Sequence, residues 1–162
     1  MSYHVCLVCM GNICRSPMAE IVLRATLAGH GLGDLVTVDS AGTGDWHQGG
    51  PMDARAAAML ADHGYDGSQH RARQFLPDWW GGIDLVLAMD ARNLDALRRL
   101  APAGADVRLF RSFDPAAPPG AEVPDPYYGE REGFAEVLRM VEAASAGLAG
   151  HLAATLPRST GV

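Results

Sequence analysis

Lysine is absent from the 162 residues, so all 13 basic side chains are arginine. This absence excludes Walker-type phosphate loops, Schiff-base chemistry and a lysine general base, because each needs a primary amine. The 19 acidic side chains outnumber the basic ones and give a formal net charge of -6. That charge repels a phosphate backbone, so we expect no nucleic-acid partner.

Long apolar runs and a secretion signal are also missing. No uninterrupted apolar stretch reaches the ~18 residues that a membrane helix needs, and residues 1–10 lack the pattern of a signal peptide. Only three cysteines occur, at positions 6, 9 and 14, which is an odd number crowded into one segment. Disulfide-bonded secreted domains have distributed, even sets instead. We therefore expect a cytoplasmic protein with no membrane partner and a reactive thiol.

Strand and helix patterns alternate along the chain and predict the fold class. Apolar runs predict strands at residues 4–9, 35–39, 83–88 and 107–110, and helical patterns cover residues 17–29, 53–63, 91–100 and 133–156. Such alternation implies parallel pairing with right-handed crossovers. We predict one α/β domain over residues 1–156, with three layers, a four-stranded parallel sheet and helices on both faces. A polar tail follows at 157–162.

The loop after the first strand, residues 9–17, predicts an anion site, since ligands of open parallel sheets bind beyond the carboxyl ends of the strands. Gly11 and Asn12 are residue types that readily adopt positive φ, and Pro17 suits the first helical position. A curl of amides joined to a helix N-terminus makes an anion cradle. Arg15 adds a planar fork for two oxygens, so phosphate is the predicted occupant.

Cys9 lies at the base of this loop and is the predicted nucleophile. The helix terminus and the guanidinium favour its thiolate form, which can attack a bound phosphomonoester in line. Ser16 is close enough in sequence to hydrogen-bond the sulfur and help it leave. A carboxyl group must then protonate the leaving oxygen. Asp114 and Asp125 are both candidates, and their spacing does not choose between them.

The aromatic pair after the second candidate favours Asp125. Tyr127 and Tyr128 follow it directly and would supply walls for a flat leaving group. Asp114, also followed by proline, is typical of a turn former. We therefore predict Asp125 as the general acid.

These residues together resemble the low-molecular-weight protein tyrosine phosphatases of the bacterial type. The resemblance rests on VCMGNICRSPMAE at 8–20, DPYY at 125–128, SAGT at 40–43 and AMD at 88–90. It implies Cys9 as nucleophile, Arg15 as phosphate clamp and Asp125 as acid and then base. It also implies a phosphocysteine intermediate that water hydrolyses.

The resemblance further implies which residues surround the substrate. Asn12, Ser16 and Ser40 would support the loop, and the substrate-binding residues would be Met10, Gly11, Asn12, Ile13, Cys14, Ser16, Trp46, Tyr127 and Tyr128. The aromatic residues would form a deep slot suited to phosphotyrosine. Ile13 stands where phosphoarginine-selective members commonly have threonine. The implied partners are tyrosine-phosphorylated proteins, no metal or cofactor is implied, and we expect a monomer.

Cys14 matches a second loop cysteine that in some relatives traps the oxidised nucleophile as a disulfide. A redox-sensitive enzyme is therefore a further hypothesis. A zinc site from the three cysteines is disfavoured, since no second Cys/His pair with ligand spacing follows.

Other functions share parts of this pattern. Arsenate reductases have the same loop but pass oxidation to later cysteines, and none follows Cys14. A phosphocarrier module has no need of Arg15 or Asp125. Phosphoarginine hydrolysis stays the enzymatic alternative. For several residues a structural role is the simpler interpretation: core packing for Cys6, a helix cap for Asp90, a solvated loop for His47, loop support or a surface turn for His70, Arg71 and Arg73, and turn packing for Trp79 and Trp80.

Overall fold

The computed structural model describes residues 2–156, so the predicted tail at 157–162 lies outside the described residues. The strands are β1 (Tyr3–Cys9), β2 (Val36–Gly42), β3 (Leu85–Ala88) and β4 (Val107–Leu109). The α-helices are α1 (Arg15–Gly29), α2 (Ala54–Asp62), α3 (Ala91–Leu100) and α4 (Arg131–Thr155). Two 3-10 helices cover Pro77–Gly82 and Phe110–Phe113.

All strand pairs are parallel, and the strand order is β2-β1-β3-β4. β1 therefore lies inside the sheet, and its carboxyl end opens into the loop that leads to α1. Side chains alternate between the two faces of β1 because successive residues of a strand point to opposite sides. Leu7 packs into the core beneath α1, α2 and α4, whereas Val8 packs into the core beneath α3. The predicted three-layer α/β architecture is confirmed.

Two helices begin at aspartates that satisfy their first amides. Asp53 accepts hydrogen bonds from the N–H groups of Arg55 and Ala56 at the start of α2. Asp90 accepts one from the N–H of Asn93 at the start of α3. Both capping residues also contact the loop after β1, since the N–H of Asp53 donates to the carbonyl of Ile13 and the Asp90 carboxylate accepts from Arg15.

Several element boundaries differ from the sequence prediction by one to three residues, and the two 3-10 helices were not predicted. β2 continues to Gly42 because its backbone goes on pairing with β1 as far as Cys9, whatever the side chains. α1 begins at Arg15, so Pro17 is its third residue and not its first. Proline is tolerated there, since the first amides of a helix have no partner within it. The 3-10 helix Pro77–Gly82 lies in a segment predicted only as turn packing.

Candidate active site

A cavity of about 340 Å³ opens above the loop after β1. Its floor and one wall are formed by that loop, and two further loops supply the opposite wall and the rim. The lining residues are Cys9, Met10, Gly11, Ile13, Cys14, Arg15, Trp46, His47, Asp125, Tyr127 and Tyr128. Most residues predicted for the site therefore meet at one cavity. Asn12, Ser16 and Ser40 lie buried behind it.

The loop carbonyls are held from outside the cavity. Four of them accept hydrogen bonds from other segments, with donor–acceptor distances of 2.7–3.1 Å: Cys9 from Thr43, Met10 from Gly44, Asn12 from His70 and Ile13 from Asp53. In a planar peptide the C=O and the next N–H point in opposite directions. The amides of residues 10, 11, 13 and 14 are thus turned inward, toward the place where an anion would sit.

Gly11 and Asn12 shape this curl in different ways. Of the two, only Asn12 has positive φ, at 58°. A Cβ at Gly11 would lie 3.1 Å from Cδ2 of the exposed His47 side chain, which would have to shift slightly. The left-handed residue of the curl is therefore Asn12 and not Gly11, and His47 packs against the loop as well as lining the cavity.

The sulfur of Cys9 lies at the cavity floor and is almost fully buried. The backbone N–H of Asn12 donates to it at 3.3 Å, and Oγ of Ser16 lies 3.0 Å away. Both groups can donate a hydrogen bond to a thiolate. The sulfur thus has two possible hydrogen-bond donors beneath the inward amides.

A chain of hydrogen bonds makes the Ser16 hydroxyl an acceptor from Asn12. Nδ2 of Asn12 donates to Oγ of Ser16 and to Oγ of Ser40, both at 2.9 Å. Oγ of Ser40 in turn donates a hydrogen bond to the Glu20 carboxylate at 2.6 Å. Ser16 therefore accepts from Asn12, and its O–H can donate to the sulfur of Cys9 at 3.0 Å or to the carbonyl of Ala41 at 3.4 Å. Sequence reasoning gave Glu20 no role, because its partner Ser40 lies 20 positions away in the chain.

Arg15 is 3% exposed and is oriented from behind. Its Nη1 donates to the Asp90 carboxylate at 2.6 Å and to the carbonyl of Val123 at 3.1 Å. Nη2 lies 3.8 Å from the Asp125 carboxylate. Burial lowers the pKa of Arg15. The opposing effect of Cys9, Asp90 and Asp125 is larger, so the net shift of the pKa is upward. Asp90 is therefore both the predicted helix cap and the anchor of Arg15.

The structure separates the two candidate acids. Asp125 lines the cavity, and its Oδ1 accepts a hydrogen bond from the N–H of Tyr127. Asp114 is 9% exposed and accepts a hydrogen bond from the N–H of Ala116 within its own turn. The carboxylate beside Arg15 and above the loop belongs to Asp125.

The rim of the cavity is aromatic and exposed. Trp46 is 68% exposed, and Tyr127 and Tyr128, at 38% and 90%, meet edge to face with ring centroids 5.0 Å apart. The Arg55 guanidinium lies over the Tyr127 ring, 5.4 Å from its centroid. A flat group that enters the cavity would pass between these rings.

The other two cysteines lie outside the cavity floor, in surroundings different from those of Cys9. Cys14 is buried in the cavity wall, where burial, and then the negative charge of Asp53, raises the pKa of its thiol. Cys6 is fully buried on the opposite face of β1, in the predicted packing role. Both thiols are therefore expected to be protonated near neutral pH, since burial also raises the pKa of Cys6.

The segment after α2 supports the loop from the side. His70 donates from Nε2 to the carbonyl of Asn12 at 2.7 Å, and the N–H of Arg73 donates to Oδ1 of Asn12 at 3.0 Å. Burial lowers the pKa of His70. The sequence analysis allowed these residues either loop support or a surface turn. His70 and Arg73 support the loop. Arg71 bonds only to carbonyls of its own turn among the described residues.

Residues 2–156 contain neither a cluster of metal ligands nor a membrane-spanning helix. No group of three or more His, Cys, Asp or Glu side chains in this range could hold a metal ion. No helix in the same range is long and apolar enough to cross a membrane.

Comparisons with known proteins identify the family of this chain. The family model of the low molecular weight phosphotyrosine protein phosphatases matches residues 4–158. A low molecular weight protein-tyrosine-phosphatase from Streptomyces coelicolor is 61% identical over 152 residues, which is 91% of this chain and 92% of the relative.

Solved structures give the same answer for the fold. A protein tyrosine phosphatase from Entamoeba histolytica superposes with a TM-score of 0.90 at 32% identity, covering 94% of this chain and 98% of the other. An arginine phosphatase from Drosophila superposes with a TM-score of 0.81 at 29% identity, covering 91% and 96%. With an anion loop of this sequence and a family match over nearly its whole length, the chain belongs to the low molecular weight phosphotyrosine protein phosphatase family.

Proposed function

We propose that this enzyme hydrolyses phosphotyrosine in proteins through a phosphocysteine intermediate, with Asp125 as general acid and base. One observation carries the proposal. The sulfur of Cys9 lies under a ring of inward amides, next to the Ser16 hydroxyl at 3.0 Å, and both Arg15 and Asp125 line the same cavity.

In the first step the Cys9 thiolate attacks phosphorus while the loop amides and Arg15 bind the equatorial oxygens. A sulfur–phosphorus bond forms as the bond to the tyrosine oxygen breaks. Asp125 gives its proton to that oxygen, so the product leaves as a neutral phenol. Because Asp90 already orients Arg15, the guanidinium needs little reorganisation when charge develops in the transition state.

In the second step water attacks the phosphocysteine and the sulfur leaves. Asp125, now ionised, accepts a proton from the water, and inorganic phosphate forms as the sulfur–phosphorus bond breaks. The Ser16 O–H stabilises the departing thiolate, since the sulfur is a nearer acceptor, at 3.0 Å, than the carbonyl of Ala41 at 3.4 Å. No metal or cofactor takes part in either step.

The cavity supports phosphotyrosine over smaller esters. Its floor is reached past Trp46, Tyr127 and Tyr128, so a short phosphoserine side chain would leave the rim uncovered. Phosphoarginine is the alternative, favoured by the structural match to an arginine phosphatase. Ile13 lines the cavity here and presents an apolar wall to the substrate.

A rate comparison tests the proposal. Initial rates would be measured on phosphotyrosine, phosphoserine and phosphoarginine peptides, with reductant and chelator present. We expect hydrolysis of phosphotyrosine alone and none with Cys9→Ser, which should still bind a phosphate analogue. Cleavage of phosphoarginine instead would overturn the substrate assignment, and turnover by Cys9→Ser would overturn the nucleophile.

We also propose that Cys14 protects Cys9 from irreversible oxidation. Peroxide would convert the Cys9 thiolate to a sulfenic acid, and the Cys14 thiol would then displace water to form a disulfide. After peroxide treatment and added thiol, we expect the wild type to recover activity more fully than Cys14→Ser. Equal recovery of both proteins would contradict this role.

The cytoplasm is the proposed compartment, because a nucleophilic thiol needs a reducing environment. We further propose that residues 1–156 form one phosphatase domain. Both apolar cores flank the same sheet, which supports this division of the chain.

A further inference from the structure

The segment that leads to the proposed acid is anchored just before it, at residues 122 and 123. The side chain of Glu122 is exposed and reaches the amino end of α3, where Oε2 accepts a hydrogen bond from the N–H of Ala91 at 2.7 Å. Its carbonyl accepts a second hydrogen bond from Nη1 of Arg111 at 3.0 Å. Glu122 is thus tied on both its side chain and its backbone.

The next residue continues this attachment. The N–H of Val123 donates to the carbonyl of Met89 at 2.7 Å, and the carbonyl of Val123 accepts from Arg15 at 3.1 Å. Together the two residues are held to the 89–91 segment, whose Asp90 orients Arg15. Asp125 follows two residues later, and Pro124 between them limits the backbone freedom of the link.

Asp125 itself has few restraints of its own. Its carboxylate accepts from the N–H of Tyr127 and lies 3.8 Å from Nη2 of Arg15, beyond hydrogen-bonding distance. The position of this carboxyl group above the loop is therefore set mainly by the backbone that delivers it. A catalytic group displaced by about 1 Å can lose roughly 100-fold in rate.

We infer that Glu122 is a positioning residue for Asp125: by bonding to the first amide of α3 it holds the acid-bearing segment over the phosphate loop. The inference rests on the proposed function, since it concerns the same acid. Glu122 does not line the cavity. Its carboxylate would also stabilise α3 simply because a negative charge is favourable at a helix N-terminus. If Glu122 acted only as a helix cap, its removal would lower stability but would reduce kcat/KM by the same factor for every substrate.

Leaving-group dependence separates the two roles. Phenyl phosphate releases a basic phenolate and needs the acid, whereas a dinitrophenyl phosphate releases a stable phenolate without one. The value of kcat/KM reports the step in which this bond breaks. The ratio of kcat/KM for the two substrates, measured in one preparation, is independent of the fraction of protein that is folded.

Four variants complete the experiment. Asp125→Asn removes the acid, so the ratio of kcat/KM in this variant gives the largest change that loss of the acid can cause. In Glu122→Ala we expect kcat/KM to fall about tenfold on phenyl phosphate and to stay within about twofold on the dinitrophenyl ester, since only the first reaction depends on the acid. Glu122→Gln keeps an oxygen that can accept from Ala91 and should restore the ratio. Glu130→Ala, an exposed glutamate beyond the same loop, is the matched control.

The outcomes are distinguishable. An unchanged ratio in Glu122→Ala, together with a changed ratio in Asp125→Asn, would overturn the positioning role and leave the proposed function standing. An unchanged ratio in Asp125→Asn would overturn the acid assignment and the inference with it. A changed ratio in Glu130→Ala would also contradict the inference, because the effect would then not depend on the contact with α3.

Discussion

The phosphate loop and the aromatic rim face each other across one cavity but are built in opposite ways. Asn12 is fully buried, and its amide makes three hydrogen bonds, to Ser16, Ser40 and Arg73. Across the cavity, Trp46 and Tyr128 are mostly exposed. The chemistry is therefore set in a loop that tolerates little change, and recognition lies on side chains that can adapt to different protein substrates.

This contrast predicts that variants of the loop and of the rim will fail in different ways. Changes near the loop should lower kcat and stability, because buried hydrogen bonds are lost. Changes at the rim should raise KM and leave the melting temperature unchanged, since exposed side chains contribute little to folding.

The largest effect is expected where the two regions meet, at Asp125. Asp125→Asn should lower kcat/KM on phenyl phosphate by ~10²–10⁴, the usual contribution of a general acid. Asp114→Asn is the matched control, since its buried turn keeps an acceptor for the N–H of Ala116. Steady-state rates of both variants check this prediction. A similar loss in Asp114→Asn alone would move the acid to that residue.

Asn12→Ala should be the next most severe change. It leaves buried groups of Ser16, Ser40 and Arg73 unpaired and puts alanine at φ 58°, so we expect a loss of about 2–4 kcal/mol in the free energy of unfolding. Urea denaturation measures this loss. Asn93→Ala is the control, because Oδ1 of this buried asparagine has no hydrogen-bond partner among the described residues. Equal losses in the two variants would contradict the special role of Asn12.

Trp46→Ala should act on recognition alone. Loss of an aromatic contact of about 1 kcal/mol would raise KM for a phosphotyrosine peptide about fivefold, with kcat and melting temperature unchanged. Leu100→Ala, which removes another exposed apolar side chain at the end of α3, should leave KM unaltered. Kinetics with the peptide provide the measurement, and a fall in kcat without a rise in KM would argue against a rim role.

The smallest effect concerns pH. Burial lowers the pKa of His70 below its ordinary 6.5, so the unfolded chain binds a proton first as pH falls. The stability that the neutral imidazole contributes is fully present above pH 6.5. It is lost as the pH falls from 6.5 through the lowered pKa of the folded protein. Between pH 7 and pH 5 the melting temperature of the wild type should fall more than that of His70→Gln. Parallel curves for the two proteins would contradict this assignment.

The sequence was sufficient for the fold and for the loop, because both depend on neighbours in the chain. The alternation of strands and helices is local, and residues 9–17 are contiguous. The supports were not predictable in the same way. Asp90 reaches Arg15 across 75 positions, and His70 reaches Asn12 across 58, so only the folded backbone brings them together.

The interior position of β1 has a consequence for how the molecule opens. Backbone amides of β1 are bonded within a sheet that continues on both sides, and such amides exchange with solvent only when a large cooperative unit unfolds. The strand that ends at Cys9 is thereby, together with β3, among the segments with the slowest expected hydrogen exchange. Local fluctuations can open the rim many times while the nucleophile stays in register, so substrate can come and go on a faster timescale than any disruption of the reactive sulfur.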